Sequence, residues 1–436
     1  MLIRKVGAGY RLAQSLQNAM LDFYIVSMVQ FLQDIGVSMK PQLLAPAGNL
    51  EKLKWAVKYG ADAVYFGMEF GSLRSFAGNF SLQDAQTGLD FLHQTGKKGY
   101  ATLNIYPFSD EYEKLIETAK KLDDIGVDAF IVADMGVLAE LNKLGLHADI
   151  HISTQANTVS FQTAMAYKQL GAKRVNLARE LSLEKIIDIQ KNLAGQIETE
   201  VFIHGSVCFS YSGRCAISDY LTGFRANHGE CKHPCRWKYY LVEEKRPGVY
   251  LPVAEDDRGT YIFNSKELAL FDYVPRLIEA GVTSFKIEGR MKSIHYIASV
   301  VSFYRRLLDG ETFTEKQAYE LLNRLPNRGY CQGFMKGDVG PEDYEYEKNE
   351  SKINTVFVGN VTGDKIAGQS VLEVRNKIFA GETLEVLTPD GNISQVTMSE
   401  PLVNTKNQQL EEVNSNEQFL LIQSDWPEYS IFRRPG

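Results

Sequence analysis

The sequence predicts an α/β fold: a TIM-like (β/α)8 barrel with a long Cys-rich insertion after strand 7, plus a small C-terminal β-barrel domain. Three observations predict it. Eight short apolar runs recur between Leu43 and Glu288, each followed by a small or polar residue and a stretch of helical period. Several are introduced by Gly60-Ala61, Gly126-Val127, Gly171-Ala172 or Gly281-Val282, as expected where a glycine-capped helix returns the chain to a parallel strand. From Asn354 the pattern changes to alternating short strands, with turns at Gly363-Asp364 and Asp390-Gly391. A doubly wound sheet is the alternative packing of the same β/α units.

The predicted barrel strands are Leu43 to Ala47, Ala63 to Gly67, Gly99 to Asn104, Ala129 to Asp134, Asp149 to Thr154, Arg174 to Ala178, Glu200 to Gly205 and Ser284 to Glu288. Between the last two, residues 206–281 form a connection far longer than an ordinary βα loop, and long insertions at that place are commonly functional. Within it, Lys238 to Glu244 and Tyr250 to Phe263 suggest a β-ribbon, and Ser265 to Ala280 a helix. Lys316 to Leu325 suggests a helix after the barrel. The C-terminal strands are expected at Thr355 to Thr362, Gly368 to Val374, Glu382 to Leu387, Gln395 to Met398 and Gln418 to Ile422. The expected units are thus residues 39–345 for the barrel and 350–436 for the β-domain. Residues 1–38 are read as a mobile or non-native extension, because Asp22 and Gln30 interrupt its apolar stretch and Met39 is a second possible start; an amphipathic partner helix is the alternative.

Composition narrows the class. With 436 residues, 44% hydrophobic and 23% charged, the chain has the make-up of a soluble globular enzyme, and no transmembrane segment or signal peptide is expected. The expected compartment is cytoplasmic. A formal net charge of −7 excludes a global field that draws the protein onto nucleic acid, so any such binding is local. One local excess exists: Arg214, Arg225, Lys232, Arg236 and Lys238 face only Asp219 and Glu230, with Tyr211, Tyr220, Tyr239 and Tyr240 interleaved. It reads either as a solvated loop around a metal site or as a lid for an RNA loop.

Four of the five cysteines fall in that insertion, as Cys208-x6-Cys215 and Cys231-x3-Cys235. In a reducing compartment such thiolates bind metal or do redox chemistry more often than they form disulfides. Zinc knuckles favour Cys-x2-Cys, which these spacings fit poorly, whereas an iron–sulfur core tolerates longer and less regular loops. Structural zinc and unliganded thiols are the competing readings. Cys331 stands apart and reads as an ordinary free cysteine.

Active sites of such barrels sit at the carboxyl ends of the strands. There the sequence places Asn104, Asp134, Gln155, Asn157, Asn176, Arg179, Glu180, His204, Lys286, Glu288 and Arg290. Some have a plainer role open to them: Asp134, like Asn49 and Ser265, as a helix cap, His204 as a core histidine, Glu288 and Arg290 as a structural pair, although so many polar residues on one rim are less easily explained that way. Neither His-Glu-x-x-His nor Gly-x-Ser-x-Gly occurs, and Ser206 and the cysteines are the tempting nucleophiles. Arg179 and Arg290 suit carboxylate clamping, and Glu288 or His204 suits proton transfer.

The run Glu200-x-Phe202-x-x-Gly205-Ser206-Val207-Cys208-x4-Gly213-x-Cys215-x-Ile217-Ser218 resembles the signature of the U32 peptidase family at each defined position. The resemblance extends to Leu44-Ala-Pro-Ala-Gly48-Asn49, Ser153-Thr-Gln155-x-Asn157, Asn176-Leu-Ala-Arg179-Glu180 and Lys286-Ile-Glu288-Gly-Arg290-Met-Lys292, and covers nearly everything from Met39 onward. The family includes proteins described as collagenase-like proteases and oxygen-independent hydroxylases of tRNA, of rRNA and of ubiquinone precursors. The size, the Cys231-x3-Cys235-Arg236 element and the β-domain look most like the tRNA branch, which forms 5-hydroxyuridine at the wobble position. That resemblance implies a 4Fe–4S cluster on Cys208, Cys215, Cys231 and Cys235, prephenate as co-substrate and tRNA as partner. A collagenase-like peptidase, or a cluster-bearing subunit of another hydroxylase, is the alternative it leaves open.

Overall fold

The computed structural model describes residues 40–73, 79–208, 210–213, 215, 217–224, 226, 229–234, 241–242, 250–251, 254–256, 259–261, 265–337, 343, 355–414, 419–423 and 425–436. The extension 1–38, Cys235, and Arg214, Arg225, Arg236 and Lys238 of the basic stretch lie outside the described residues.

Eight parallel strands close a barrel. They are β1 (Gln42–Ala47), β2 (Ala63–Gly67), β3 (Lys98–Leu103), β4 (Ala129–Val132), β5 (Asp149–Ile152), β6 (Arg174–Asn176), β7 (Glu198–Ser206) and β8 (Ser284–Ile287). Each pairs with the next in parallel, and β8 pairs with both β7 and β1, which closes the ring. Helices return the chain between strands, from α1 (Leu50–Lys58) after β1 to α2 (Ile294–Leu308) after β8. Caps set their starts: Asn49 Oδ1 accepts from Lys52 N–H at 2.9 Å and Asp134 Oδ1 from Val137 N–H at 2.9 Å, each meeting a donor that the first turn cannot satisfy. Outward-facing strand residues such as Leu43, Phe66, Phe130 and Phe285 pack on the helices in the main core. Inward residues Leu44, Tyr65, Tyr100 and Ile131 form a separate plug inside the ring.

Two expectations need correction. Residues 265–280 are not one helix: Glu267–Ala269 is a strand antiparallel to β7, and the helix begins only at Val274, with Pro275 in its first turn. The free edge offered by the long β7 favours the strand, and Pro is tolerated only at a helix start. Ser265 accordingly caps no helix.

The C-terminal region is an eight-stranded antiparallel sheet, ordered Ile393–Thr397, Thr383–Leu387, Ile431–Pro435, Thr355–Ile366, Gln369–Val374, Phe419–Ile422, Leu402–Asn404, Gln409–Leu410. Ile431–Pro435, which the sequence pattern did not mark, lies between Thr355–Ile366 and Thr383–Leu387 and pairs with both. The sheet packs beside α1 and α2. Tyr59 donates its hydroxyl to the carbonyls of Leu387 and Tyr429 at 3.0 and 2.8 Å, and Leu387 and Ile431 join the barrel's core.

Candidate active site

At the carboxyl ends of the barrel strands a cleft of about 180 Å³ opens. Its floor begins with a charge inside the barrel. Glu200, on β7, accepts from Lys286 Nζ at 2.9 Å, Ser284 Oγ at 3.0 Å and Asn176 Nδ2 at 2.7 Å, with Arg174 Nη1 3.6 Å away. Burial pushes this carboxyl up, but Lys286 and Arg174 outweigh it and hold it below the usual carboxylate range. A charged residue in the apolar run Val-Phe-Ile was the sequence signal for this network, and it was not read as such.

Above the floor, Arg179 lies over the Phe202 ring at 3.9 Å and reaches Glu288 with Nη2 3.6 Å from Oε2. Residues 109 apart in sequence thus meet because β6 and β8 flank β7. Arg290 is buried, and its Nη1 donates to Ser72 Oγ at 2.7 Å and Thr102 Oγ1 at 3.2 Å. It crosses the barrel mouth so closely that a Cβ at Gly67 would fall on its guanidinium and one at Gly48 on its backbone carbonyl. Glu288 thus has Arg179 as an ion-pair partner across the mouth.

The cysteine segment is seated on this floor by specific bonds. Glu180 accepts from the Ser212 N–H at 2.7 Å and from its hydroxyl at 3.1 Å. Gly213 has φ +71, and a Cβ there would meet the Gln155 carbonyl. Tyr106 donates to that same carbonyl at 2.7 Å. Cys208, Cys215 and Cys231 consequently line one cleft with Arg179, Glu288 and Arg290. Ser206 and His233 line it too; the latter was not marked by sequence and sits at φ +56. Among the described residues, no group of three or more His, Cys, Asp or Glu side chains is arranged to hold a metal ion.

His204 is elsewhere. The pairing of β7 with β8 shifts register between Lys286 and Ile287, so that Phe202 pairs with Lys286 but His204 pairs with Ile287. This bulge turns His204 out of the barrel, away from the cleft. It is 1% exposed, among Tyr296, Tyr304 and Tyr330, with Nδ1 3.3 Å from the Tyr304 hydroxyl. Burial pushes its imidazole down to about 4. It is a core histidine and leaves the list of cleft residues. Asp134 serves as a cap and accepts from Tyr112 Oη at 2.5 Å. Cys331 is also remote; burial pushes its thiol up to about 11, which suits an unreactive thiol.

Large side chains are exposed where the chain leaves the strands, Phe108 after β3, Met135 at the start of the helix after β4, Tyr211 after β7 and Met291 after β8. No helix among the described residues is long and apolar enough to cross a membrane.

Comparison with known proteins agrees with the motifs. The family model of peptidase family U32 matches residues 48–345, and that of the family's C-terminal domain matches residues 354–433. The chain is similar to tRNA hydroxylation protein P of Escherichia coli (strain K12), 36% identical over 399 residues that cover 81% of this chain and 88% of that protein. It is also similar to the 23S rRNA 5-hydroxycytidine C2501 synthase of the same organism, 37% identical over 278 residues, covering 62% of this chain and 40% of that one. A third relative is the collagenase of Porphyromonas gingivalis (strain ATCC BAA-308 / W83), 30% identical over 338 residues, covering 73% of this chain and 79% of that one. With its motifs, its barrel and its C-terminal sheet all in agreement, the chain belongs to peptidase family U32.

Proposed function

We propose that this protein is an oxygen-independent RNA hydroxylase that converts the wobble uridine of tRNA to 5-hydroxyuridine in the cytoplasm, with a 4Fe–4S cluster and prephenate as oxygen donor. The observation that supports it is the lining of one cleft by Cys208, Cys215 and Cys231 together with Arg179, Glu288 and Arg290, in a chain similar to tRNA and rRNA hydroxylation proteins. The chemistry of the donor set suits the cluster: Cys208, Cys215 and Cys231 are soft thiolate ligands that line one cleft, and with Cys235 they would hold it. When bound, it supplies one-electron transfer.

The chemistry asks for little else. The base exchanges C5–H for C5–OH while the donor exchanges C–OH for C–H, so atoms and electrons balance without O2. Arg179 and Arg290 bind the carboxylates of the donor, and Glu288 Oε2, steadied by Arg179, moves the proton. Exposed Phe108 and Tyr211 suit the stacking of single-stranded bases. In this reading residues 39–345 carry the chemistry and residues 350–436 orient the RNA.

The first test is anaerobic purification with metal analysis, then nucleoside analysis of tRNA from a deletion strain. About four irons and four sulfides per chain, with 5-hydroxyuridine lost on deletion, is the expected result. The peptidase reading rests on the similarity to a collagenase and on Ser206 and His233 lining the same cleft. Zinc without iron, peptide hydrolysis and an unchanged tRNA profile would establish it instead. Obligate co-purification with a second chain that carries the activity would make this protein the cluster-bearing subunit.

A further inference from the structure

Among the described residues several buried side-chain polar atoms have no partner, and two of these atoms belong to residues that line the cleft: Gln155 Nε2 and Asn176 Oδ1. Both side chains are more than nine-tenths buried, at 8% and 2% exposure. Their orientations are fixed by neighbours. The Leu73 N–H donates to Asn104 Oδ1 at 3.1 Å, so Asn104 Nδ2 must donate, which it does to Gln155 Oε1 at 2.6 Å. That leaves Gln155 Nε2 as an unspent donor. Glu200, ionised and able only to accept, draws Asn176 Nδ2 at 2.7 Å and leaves Asn176 Oδ1 as an unspent acceptor. The two are neighbours in the barrel: Gln155 follows β5, Asn176 ends β6, these strands pair, and Thr154 Oγ1 donates to the Leu177 carbonyl at 3.4 Å.

A buried donor and a buried acceptor left unpaired are costly, and a structure that orients both is arranged for a ligand that satisfies both. A carboxylate does not, because it would meet Asn176 Oδ1 with a lone pair. An apolar ring satisfies neither. An amide-like edge, with an acceptor beside a donor, satisfies the two together. We infer that Gln155 and Asn176 form the floor that reads the Watson–Crick edge of a flipped uracil, Gln155 donating to a carbonyl oxygen of the base and Asn176 accepting from the adjacent N3–H. The inference rests on the RNA-hydroxylase reading and names the part of the cleft that recognises the base. The donor carboxylates then belong to the other side, with Arg179 and Arg290.

The test uses two variants of the holoprotein. Gln155→Glu keeps an oxygen for Asn104 and replaces the donating Nε2; Asn176→Ala removes the acceptor. Each is measured for iron content, for binding to an anticodon stem–loop RNA carrying uridine or N3-methyluridine at the target position, and for hydroxylated nucleoside in tRNA of a complemented deletion strain. The wild-type protein should prefer uridine by about tenfold or more, and each variant should narrow that preference to about twofold and lower the modified nucleoside by about tenfold, at unchanged iron content. A variant that keeps iron, preference and nucleoside level overturns the inference while the hydroxylase reading stands. Should the wild-type protein itself restore no hydroxylated nucleoside, that reading falls, and the binding preference still decides the floor. If one variant loses its iron, the other decides.

Discussion

The cleft and the seam between barrel and C-terminal sheet both bury polar groups, but they complete them differently. In the seam, Arg433 is 1% exposed and donates to Glu385 Oε1 at 2.5 Å, while Glu385 Oε2 accepts from Arg324 Nη2 at 2.9 Å. His295 Nε2 stands 3.5 Å from Arg433 Nη1, its ring stacked on Phe357 at 5.7 Å, and Tyr59 serves two carbonyls. These groups close on one another. In the cleft, Gln155 and Asn176 each spend one end of an amide on the protein and leave the other unmade. Closed polar burial holds parts together, and the open pair in the cleft is where the proposed base would complete it.

The sharpest way to break this contrast is at the cysteines. Cys208→Ala or Cys215→Ala should abolish iron binding and hydroxylated nucleosides together, without loss of the seam's stability; full activity with full iron would remove both residues from the site. Next in size is Glu385→Ala, which leaves Arg433 buried without its carboxylate and should cost about 3–5 kcal/mol in urea unfolding, with the cleft's iron content unchanged in the folded protein. Tyr59→Phe removes one hydroxyl shared by two carbonyls and should cost about 1 kcal/mol.

The smallest effect is on pH dependence. Burial, aided by Arg433, pushes His295 down to about 3 from its ordinary 6.5, so the folded seam keeps it neutral. The unfolded chain binds a proton below about pH 6.5 that the fold refuses. The stabilisation is therefore fully present above that pH and is lost as pH falls toward the folded value. His295→Gln should flatten the fall in stability between about pH 6 and pH 4 by up to ~1.4 kcal/mol per pH unit, measured by urea titration. An unchanged slope would mean that His295 does not titrate on unfolding.

The barrel was legible because parallel strands buried on both faces write themselves as short apolar runs, and all eight lie where those runs fall. The polar rim was legible for the same reason, since any strand end in this fold points to one face. What failed depended on register. The His204 error came from a bulge that reverses the alternation over two residues, which no pattern in Phe202-Ile-His204-Gly205 announces. Ile431–Pro435 was missed because Arg433 and Arg434 interrupt its apolar character, and the buried partner Glu385 lies 48 residues earlier. Gln155 and Asn176 were visible as polar residues, but which of their atoms remain unspent follows from Asn104 and Glu200, contacts that only the closed ring creates.

That closure has a kinetic consequence. Arg290 binds Ser72 and Thr102 across sequence separations of 218 and 188 residues, and passes Gly48 and Gly67 with no room for a side chain. Contacts of such long span are slow to form, because the entropy of closing the intervening loop is paid before they give any return. The mouth of the cleft is built from such contacts. Arg290 reaches Ser72 and Thr102 only where β8 has closed against β1, so the proposed carboxylate site is absent from any form of the chain in which the ring is open.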